Sequence, residues 1–239
     1  MKACVLIPTY DNPATIAAVV ERVRRYVADV VVVDDGSAEA GRASVEALRA
    51  TPGVHVHRRA KNGGKGAAVK DGFRVARDLG FTHALQVDAD GQHALGDIPR
   101  LLAASEANPR ALVLGAPRFD ASVPKGRLYG RKLTIFWTTV ETYGRRVITD
   151  PLCGFRVYPL DAAIAAGARG DAMDFDPEIA VRLVWRQVPV VNVETTVRYV
   201  PASEGGVSHF RMWKDNVLIS WMHTRLVVAA LLRLVGIGR

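Results

Sequence analysis

The sequence predicts an α/β fold, a mostly parallel sheet flanked by helices, and two observations carry that expectation. Short apolar runs alternate with segments of helical period about ten to fifteen residues long, the pattern of βαβ units. The first run, ACVLIP at 3–8, is apolar without a break, as a strand buried on both faces must be. A third observation bears on function. The runs end in polar residues: Thr9-Tyr10-Asp11, Asp34-Asp35-Gly36-Ser37, Arg58, Asp88 with Asp90, and Arg118. Parallel sheets bind ligands at the carboxyl ends of their strands, so these residues mark one candidate edge.

After the first strand, Asn12-Pro13 opens a helix, with Pro in the first turn where its missing N–H costs nothing. Ile16, Val19, Val20, Val23 and Val27 carry its helical period. The second apolar run, 30–33, ends in DDGS. The third, VHVHR at 54–58, alternates and stops short of Gly63-Gly64. A helix over 65–79 leads into HALQVDAD, the fourth strand. Pro99 begins the next helix, and ALVLGAP at 111–117 is the fifth strand. Beyond 117 the alternation weakens: 118–160 is rich in Arg, Gly and aromatics, EIAVRLVWRQ reads as a helix, and VPVVNVETTVRYV at 188–200 reads as a strand. No repeat, low-complexity tract or linker interrupts the chain.

At 239 residues, 49% hydrophobic and 23% charged, the chain has enough apolar content for one large core or two small ones. Cys4 and Cys153 form neither a disulfide framework nor a metal-spacing motif, so a reducing compartment is expected. Polar YDN follows ACVLIP at once, too soon for a signal-peptide core. No stretch reaches about 18 uncharged apolar residues, so no spanning helix is expected. The 32 basic and 24 acidic residues leave a net charge of +8, which favours a polyanionic partner. Nucleic acid explains the charge but not the acidic strand ends, which would repel phosphate without a metal, so no nucleic-acid partner is expected.

Each polar stretch has a plain reading beside its functional one. DDGS (34–37) is a turn that caps the next helix, or it offers a carboxylate to a base N–H or a ribose hydroxyl. NGGKGAA (62–68) lacks the Ser or Thr of a P-loop after its Lys and lacks the GxGxxG spacing. What remains is a Gly-rich loop that brings Lys65 and backbone amides near an anion at a helix start. DADGQH (88–93) is a capped turn, or Asp88 and Asp90 converge on one hard cation with the Gln92 carbonyl beside them. Oxygen ligands of that kind suit Mg²⁺ or Mn²⁺, for which His93 would be an odd ligand. In MDFDPEI, Asp176 before Pro177 is an N-cap or a catalytic base.

Taken in order, IPTYDNPATI, VVVDDGS, RNGGKGAAVKDG and LQVDADGQH resemble the family 2 glycosyltransferases of the GT-A, Rossmann-like fold. The nearest flavour is the dolichol- or polyprenyl-phosphate sugar transferase branch. GAPRF, DPLCGFRVY, DFDPEI and EGGVSHF fit the same pattern, so the resemblance runs over about 3–215. It implies that Pro8, Tyr10 and Asp35 contact the nucleoside of a UDP- or GDP-sugar donor. It makes Asp88, Asp90 and Gln92 the ligands of metal and ribose–diphosphate, and Arg118 and Arg131 the binders of an acceptor phosphate. The branch has GESK where this chain has EGGVSHF, so His209 stands where a lysine closes over the diphosphate, as a titratable substitute.

The expected reaction is a metal-dependent, inverting hexosyl transfer. Mg²⁺ or Mn²⁺ on Asp88 and Asp90, with Lys65 and His209, would stabilise the leaving diphosphate. A lipid-phosphate acceptor is anionic already and needs no base, whereas a hydroxyl acceptor would need Asp176. The expected organisation is a domain over 1–209, its 1–117 part the nucleotide-sugar half and 118–209 the acceptor half, followed by a C-terminal amphipathic helix at 210–239. On that helix Arg211, Lys214, Arg225 and Arg233 share roughly a 100° sector, and Trp213, Trp221, Leu226, Val227, Val228, Leu231 and Leu234 occupy the rest. This pattern is that of a helix lying on an anionic membrane with its basic residues at the headgroups; packing in a homodimer is the alternative. The expected location is the cytoplasmic face, peripherally. A soluble transferase acting on a hydroxyl and a non-catalytic sugar-nucleotide-binding, membrane-docking protein are the competing readings.

Overall fold

The structure, a computed structural model, describes residues 1–118, 125–196 and 211–237. Its first half follows the alternation of the sequence: β1 (Ala3–Thr9), α1 (Ile16–Arg24), β2 (Val30–Asp34), α2 (Glu39–Ala47), β3 (Val54–Arg58), α3 (Lys65–Asp78), β4 (His83–Gln86), α4 (Ile98–Ala107) and β5 (Leu112–Arg118). The second half contains α5 (Lys125–Glu141), β6 (Arg156–Pro159), α6 (Leu160–Ala165), α7 (Phe175–Trp185), β7 (Val190–Thr196) and α8 (Met212–Leu234).

Among the described residues, seven strands form one sheet in the order β3-β2-β1-β4-β6-β5-β7. Of these, β6 alone runs antiparallel to its neighbours, pairing Gln86 with Arg156 on one side and Val113 with Val157 on the other. Sequence patterning does not predict β6, because four residues, RVYP, are too few to show a period. Gly115 admits it: a Cβ there would stand 2.8 Å from the Phe155 carbonyl oxygen, which already accepts the Gly115 N–H.

Side chains alternate across the sheet and divide the interior in two. Cys4 and Leu6 of β1 meet Phe73, Phe175, Ile179 and Met222 on one face, while Val5 and Ile7 meet Ile16, Val19, Ile98 and Leu101 on the other. The first core therefore includes α8, which seats Met222 and Leu226 beside α3, α6 and α7.

The basic segment 124–132 lies, from Lys125 on, in the long helix α5. Two details differ from the sequence reading. α7 starts at Phe175 with Asp174 at the cap position, so Asp176 is inside the first turn and is not the N-cap. The basic stripe of α8 does not all face outward. Arg225 turns to Glu178, and Arg233 lies over the Trp185 ring and donates to its carbonyl. Beside the exposed Arg211 and Lys214 the outward face is largely apolar, with Trp213 at 87%, Trp221 at 60% and Leu231 at 59% exposure. By length and composition α8 also passes as a helix able to cross a membrane, which a search for uninterrupted apolar runs misses because Arg225 and Arg233 break the run.

Candidate active site

The strand ends and the start of α3 converge on one ammonium group. Lys65 opens α3, and its Nζ stands 2.8 Å from Asp88 Oδ1 and 3.0 Å from Asp176 Oδ2. Burial works against that charge, but Asp176 and Asp88 outweigh it and hold the lysine pKa above its ordinary value. Burial alone would raise the Asp88 carboxyl; Lys65 and His93 reverse the effect and keep it below the ordinary range. Asp176 is buried, accepts from Gln86 Nε2 at 3.4 Å, and its backbone carbonyl accepts from the fully buried Arg156 at 2.6 Å. The unexpected strand β6 thus carries the cation that fixes the first turn of α7.

The Gly-rich loop works differently from the expectation. Its amides do not wait for an external anion: Gly63 and Gly64 N–H donate to the Asp35 carboxylate at 3.0 and 2.7 Å, and Arg59 pairs with the same group. Glycine is required here by space and conformation. Gly64 has φ +102°, and a Cβ on it would meet the Asp171 carbonyl at 2.4 Å; one on Gly66 would meet Phe175 at the same distance. The motif lets α3 start flush against residues 170–175, which places Lys65 beside Asp176. Neighbouring Asp34 makes the turn foreseen for DDGS, accepting from Ser37 N–H at 3.0 Å.

Asp88 and Asp90 flank Ala89 on a segment that turns through Gly91 at φ +73°. Asp90 accepts the Gln92 N–H at 3.0 Å, and its carboxyl is held above the ordinary value by burial and then by the charge of Asp88. Two carboxylates that repel each other, with the Gln92 side chain on the same cavity wall, make a donor set of hard oxygens that fits Mg²⁺ or Mn²⁺. Among the described residues no cluster of three His, Cys, Asp or Glu side chains accompanies them, so remaining positions of such an ion would fall to substrate oxygens. His93 is buried, stacked on Phe155, and reaches Asp88 Oδ2 with Nε2 at 3.3 Å, so it braces the Asp88 side chain.

These groups line a cavity of about 1150 Å³. Pro8, Tyr10, Asp35, Lys65, Asp88, Asp90, Gln92, Arg131 and Asp176 of the sequence-derived set all lie on its wall. It continues between α5 and α8, past Trp137 and Leu133 on one side and Ile219, His223 and Val227 on the other. Sequence reasoning missed this extension, since nothing local says that two helices so far apart in the chain face each other. Arg131 is mostly buried and 3.0 Å from Asp150. Arg118 is not on the wall; it is 73% exposed by side chain and pairs with Glu194 at 2.7 Å. His209 lies outside the described residues.

The fold defines the class. Over the whole of this chain and 81% of theirs, the structure superposes on the crystal structure of glucosyl-3-phosphoglycerate synthase from Mycobacterium tuberculosis in complex with UDP, with a TM-score of 0.68 at 18% identity. The same enzyme with Mn²⁺ and UDP-glucose gives 0.67 at 17% identity, with 80% of that chain covered. This is the GT-A fold. The chain matches the family Glycosyl transferase family 2 over residues 4–163 and belongs to it. It is 34% identical over 173 residues to an undecaprenyl-phosphate mannosyltransferase of Micrococcus luteus, covering 67% of this chain and 68% of that one. It is also 34% identical over 167 residues to a polyprenol monophosphomannose synthase of Mycolicibacterium smegmatis, covering 66% and 61%. The protein is therefore a glycosyltransferase, and its relatives lie in the polyprenyl-phosphate branch.

Proposed function

We propose that this enzyme transfers a hexose, with inversion, from a UDP- or GDP-sugar to a polyprenyl phosphate held at the cytoplasmic face of an anionic membrane. One observation carries the reading: a single cavity joins the Lys65–Asp88–Asp176 cluster to an apolar passage between α5 and α8. A sugar nucleotide needs the polar end and a lipid phosphate needs the apolar one. In this reading the 1–117 half takes the donor, 118–209 shapes the acceptor side, and 210–239 meets the membrane.

Asp88, Asp90 and Gln92 would hold Mg²⁺ or Mn²⁺, which supplies charge neutralisation to a leaving diphosphate. Lys65 holds Asp88 and Asp176 in fixed positions. Pro8 and Tyr10 supply the wall nearest a nucleoside. Arg131 is the cation on the wall next to the α5–α8 passage, and it orients an acceptor phosphate. Such an acceptor is anionic at neutral pH and needs no proton removed, which leaves Asp176 free for its contacts with Lys65 and Gln86. The surface supports the lipid acceptor: Tyr129, Leu133 and Phe136 of α5 lie exposed, as do Trp213, Val217, Trp221 and Val228 of α8, with Arg211 and Lys214 alongside.

The test is transfer of radiolabelled sugar from a panel of UDP- and GDP-sugars, mannose and glucose first, to undecaprenyl phosphate, with Mn²⁺ or with EDTA. Transfer that is lost with EDTA and in Asp90→Ala is expected. Full activity in EDTA sinks the metal role, and transfer to a soluble hydroxyl acceptor that needs Asp176 sinks the lipid one. Because α8 is part of the core, membrane binding is tested with exposed-face variants, Trp213→Ser with Leu231→Ser, in flotation on anionic liposomes rather than by truncation.

A further inference from the structure

α8 borders two adjoining cavities. One flank of the helix closes the active-site cavity; the other borders a second pocket of about 450 Å³, set against Asn62–Gly64 and the 169–174 segment, and Asn62, Gly64, Ala172 and Arg211 line both. Arg211, Lys214, Leu218, Trp221 and Arg225 recur at helical spacing along that second flank, and Arg169 faces them from the loop. Hence three of the four basic residues of the stripe legible in the sequence line a concave site beside the exposed apolar face of α8.

The charges of this pocket are unbalanced. The side chains of Arg169, Arg211 and Lys214 have no ion pair or hydrogen bond to another described residue. Arg225 reaches Glu178 only at 3.6 Å, and its buried Nε has no hydrogen-bond partner. Two acids also border the pocket, and both are engaged. Asp171 pairs with Lys70 at 2.6 Å, and Asp174 accepts the Ala172 N–H at 3.0 Å. An excess of fixed positive charge in a concavity, with an unsatisfied buried donor, is matched by a group with several acceptor oxygens and negative charge. Leu218 and Trp221 add an apolar wall at its rim.

We propose that this pocket is a second anion site, adjoining the donor cavity, that binds a phosphate monoester. The chemistry is shared by two sources, the headgroup of a lipid such as phosphatidic acid and free phosphate. Trp221 at the rim and the adjoining apolar face of α8 place the site where a headgroup arrives. The headgroup as source rests on the membrane contact proposed above, and a polyprenyl-phosphate acceptor carries the same group, so transfer kept by the double variant described below sets this pocket apart from the acceptor site.

The experiment uses the full chain and the double variant Arg169→Ala/Lys214→Ala, with Arg22→Ala/Arg24→Ala on α1 as a charge-matched control. Binding of inorganic phosphate is measured by calorimetry. Flotation is compared on phosphatidylcholine vesicles containing phosphatidic acid and on vesicles of equal surface charge containing phosphatidylglycerol. The double variant is expected to lose phosphate affinity by about tenfold or more, while the control variant keeps it and nucleotide-sugar binding is retained in both. Preference for phosphatidic acid that vanishes in the double variant supports the headgroup as source; phosphate binding without that preference supports the free anion. Phosphate affinity equal in the double variant and the wild type overturns the site. So does a loss equal to that in the α1 control, since that would reflect net charge alone.

Discussion

Lys65 Nζ sits between Asp88 and Asp176, 2.8 and 3.0 Å from their carboxylates, and so ties the fourth strand's end to the start of α7. Removing it leaves two largely enclosed carboxylates without their cation. Lys65→Ala is therefore expected to cost about 3–5 kcal/mol, read from chemical denaturation, and to abolish transfer. A loss under about 1 kcal/mol would mean that water already screens the pair.

Gly154 guards the same contact. A methyl group there would lie 2.7 Å from both Asp88 Oδ2 and Lys65 Nζ. Both are ends of flexible side chains, so the fold survives and the site moves. Gly154→Ala is expected to destabilise by about 1–3 kcal/mol and to cut transfer at least tenfold. Unchanged kinetics would show that the Lys65–Asp88 geometry is not needed.

Asp90 trades stability for its role. Burial and the charge of Asp88 both oppose its ionisation. At neutral pH without divalent ions, Asp90→Asn is expected to raise stability by on the order of 1 kcal/mol. Added Mn²⁺ should then raise the melting temperature of the wild type and leave that of the variant unmoved. Equal shifts in both proteins refute the assignment of Asp90 as a ligand.

A buried pair joins α5 to α8: His223 Nδ1 stands 2.7 Å from Glu141 Oε1. Burial chiefly, and Glu178 after it, hold the Glu141 carboxyl above its ordinary 4.5 despite the hydrogen bond from His223. The folded state therefore binds the proton more tightly than the unfolded one. Its stabilising effect is complete below pH 4.5 and is lost as pH rises through the folded value. Glu141→Gln lacks this dependence, so the variant should gain on the wild type between pH 4.5 and neutrality in parallel denaturation series. Parallel pH profiles would contradict it.

Burial pushes the Cys4 and Cys153 thiols up to about 12. Neither is expected to react with a thiol reagent at pH 8 on the folded protein, and both should react once denaturant is added. Fast labelling of one thiol in the native state would reveal local opening at β1 or at the 153–155 segment before β6.

Much of the fold and part of the site were legible in the residues. The strands up to β5 and the helices α1, α3 and α4 announce themselves through local periodicity, because burying one face or both leaves a repeat in the chain. DADGQH shows its carboxylates two positions apart, and the order of the four motifs points to the family. What local pattern cannot carry is the partner. Asp35 reads as a nucleoside contact, yet its oxygens hold the Gly63 and Gly64 amides. Asp176 reads as a cap, yet it meets Lys65. β6 is too short to show a period and is held by its neighbours on both sides.

α8 shows the division most clearly. The sequence by itself determined the angles between its side chains, so the grouping of Arg211, Lys214 and Arg225 was readable without coordinates. A helical period sets relative angle only; it does not say which face meets the protein. The tertiary structure decided that. Met222 and Leu226 enter the core, Arg225 and Arg233 turn to Glu178 and Trp185, and the helix borders two adjoining cavities. The physical reason is that a charge takes its place from the partner that offsets its desolvation, and those partners lie on α7, far away in the chain.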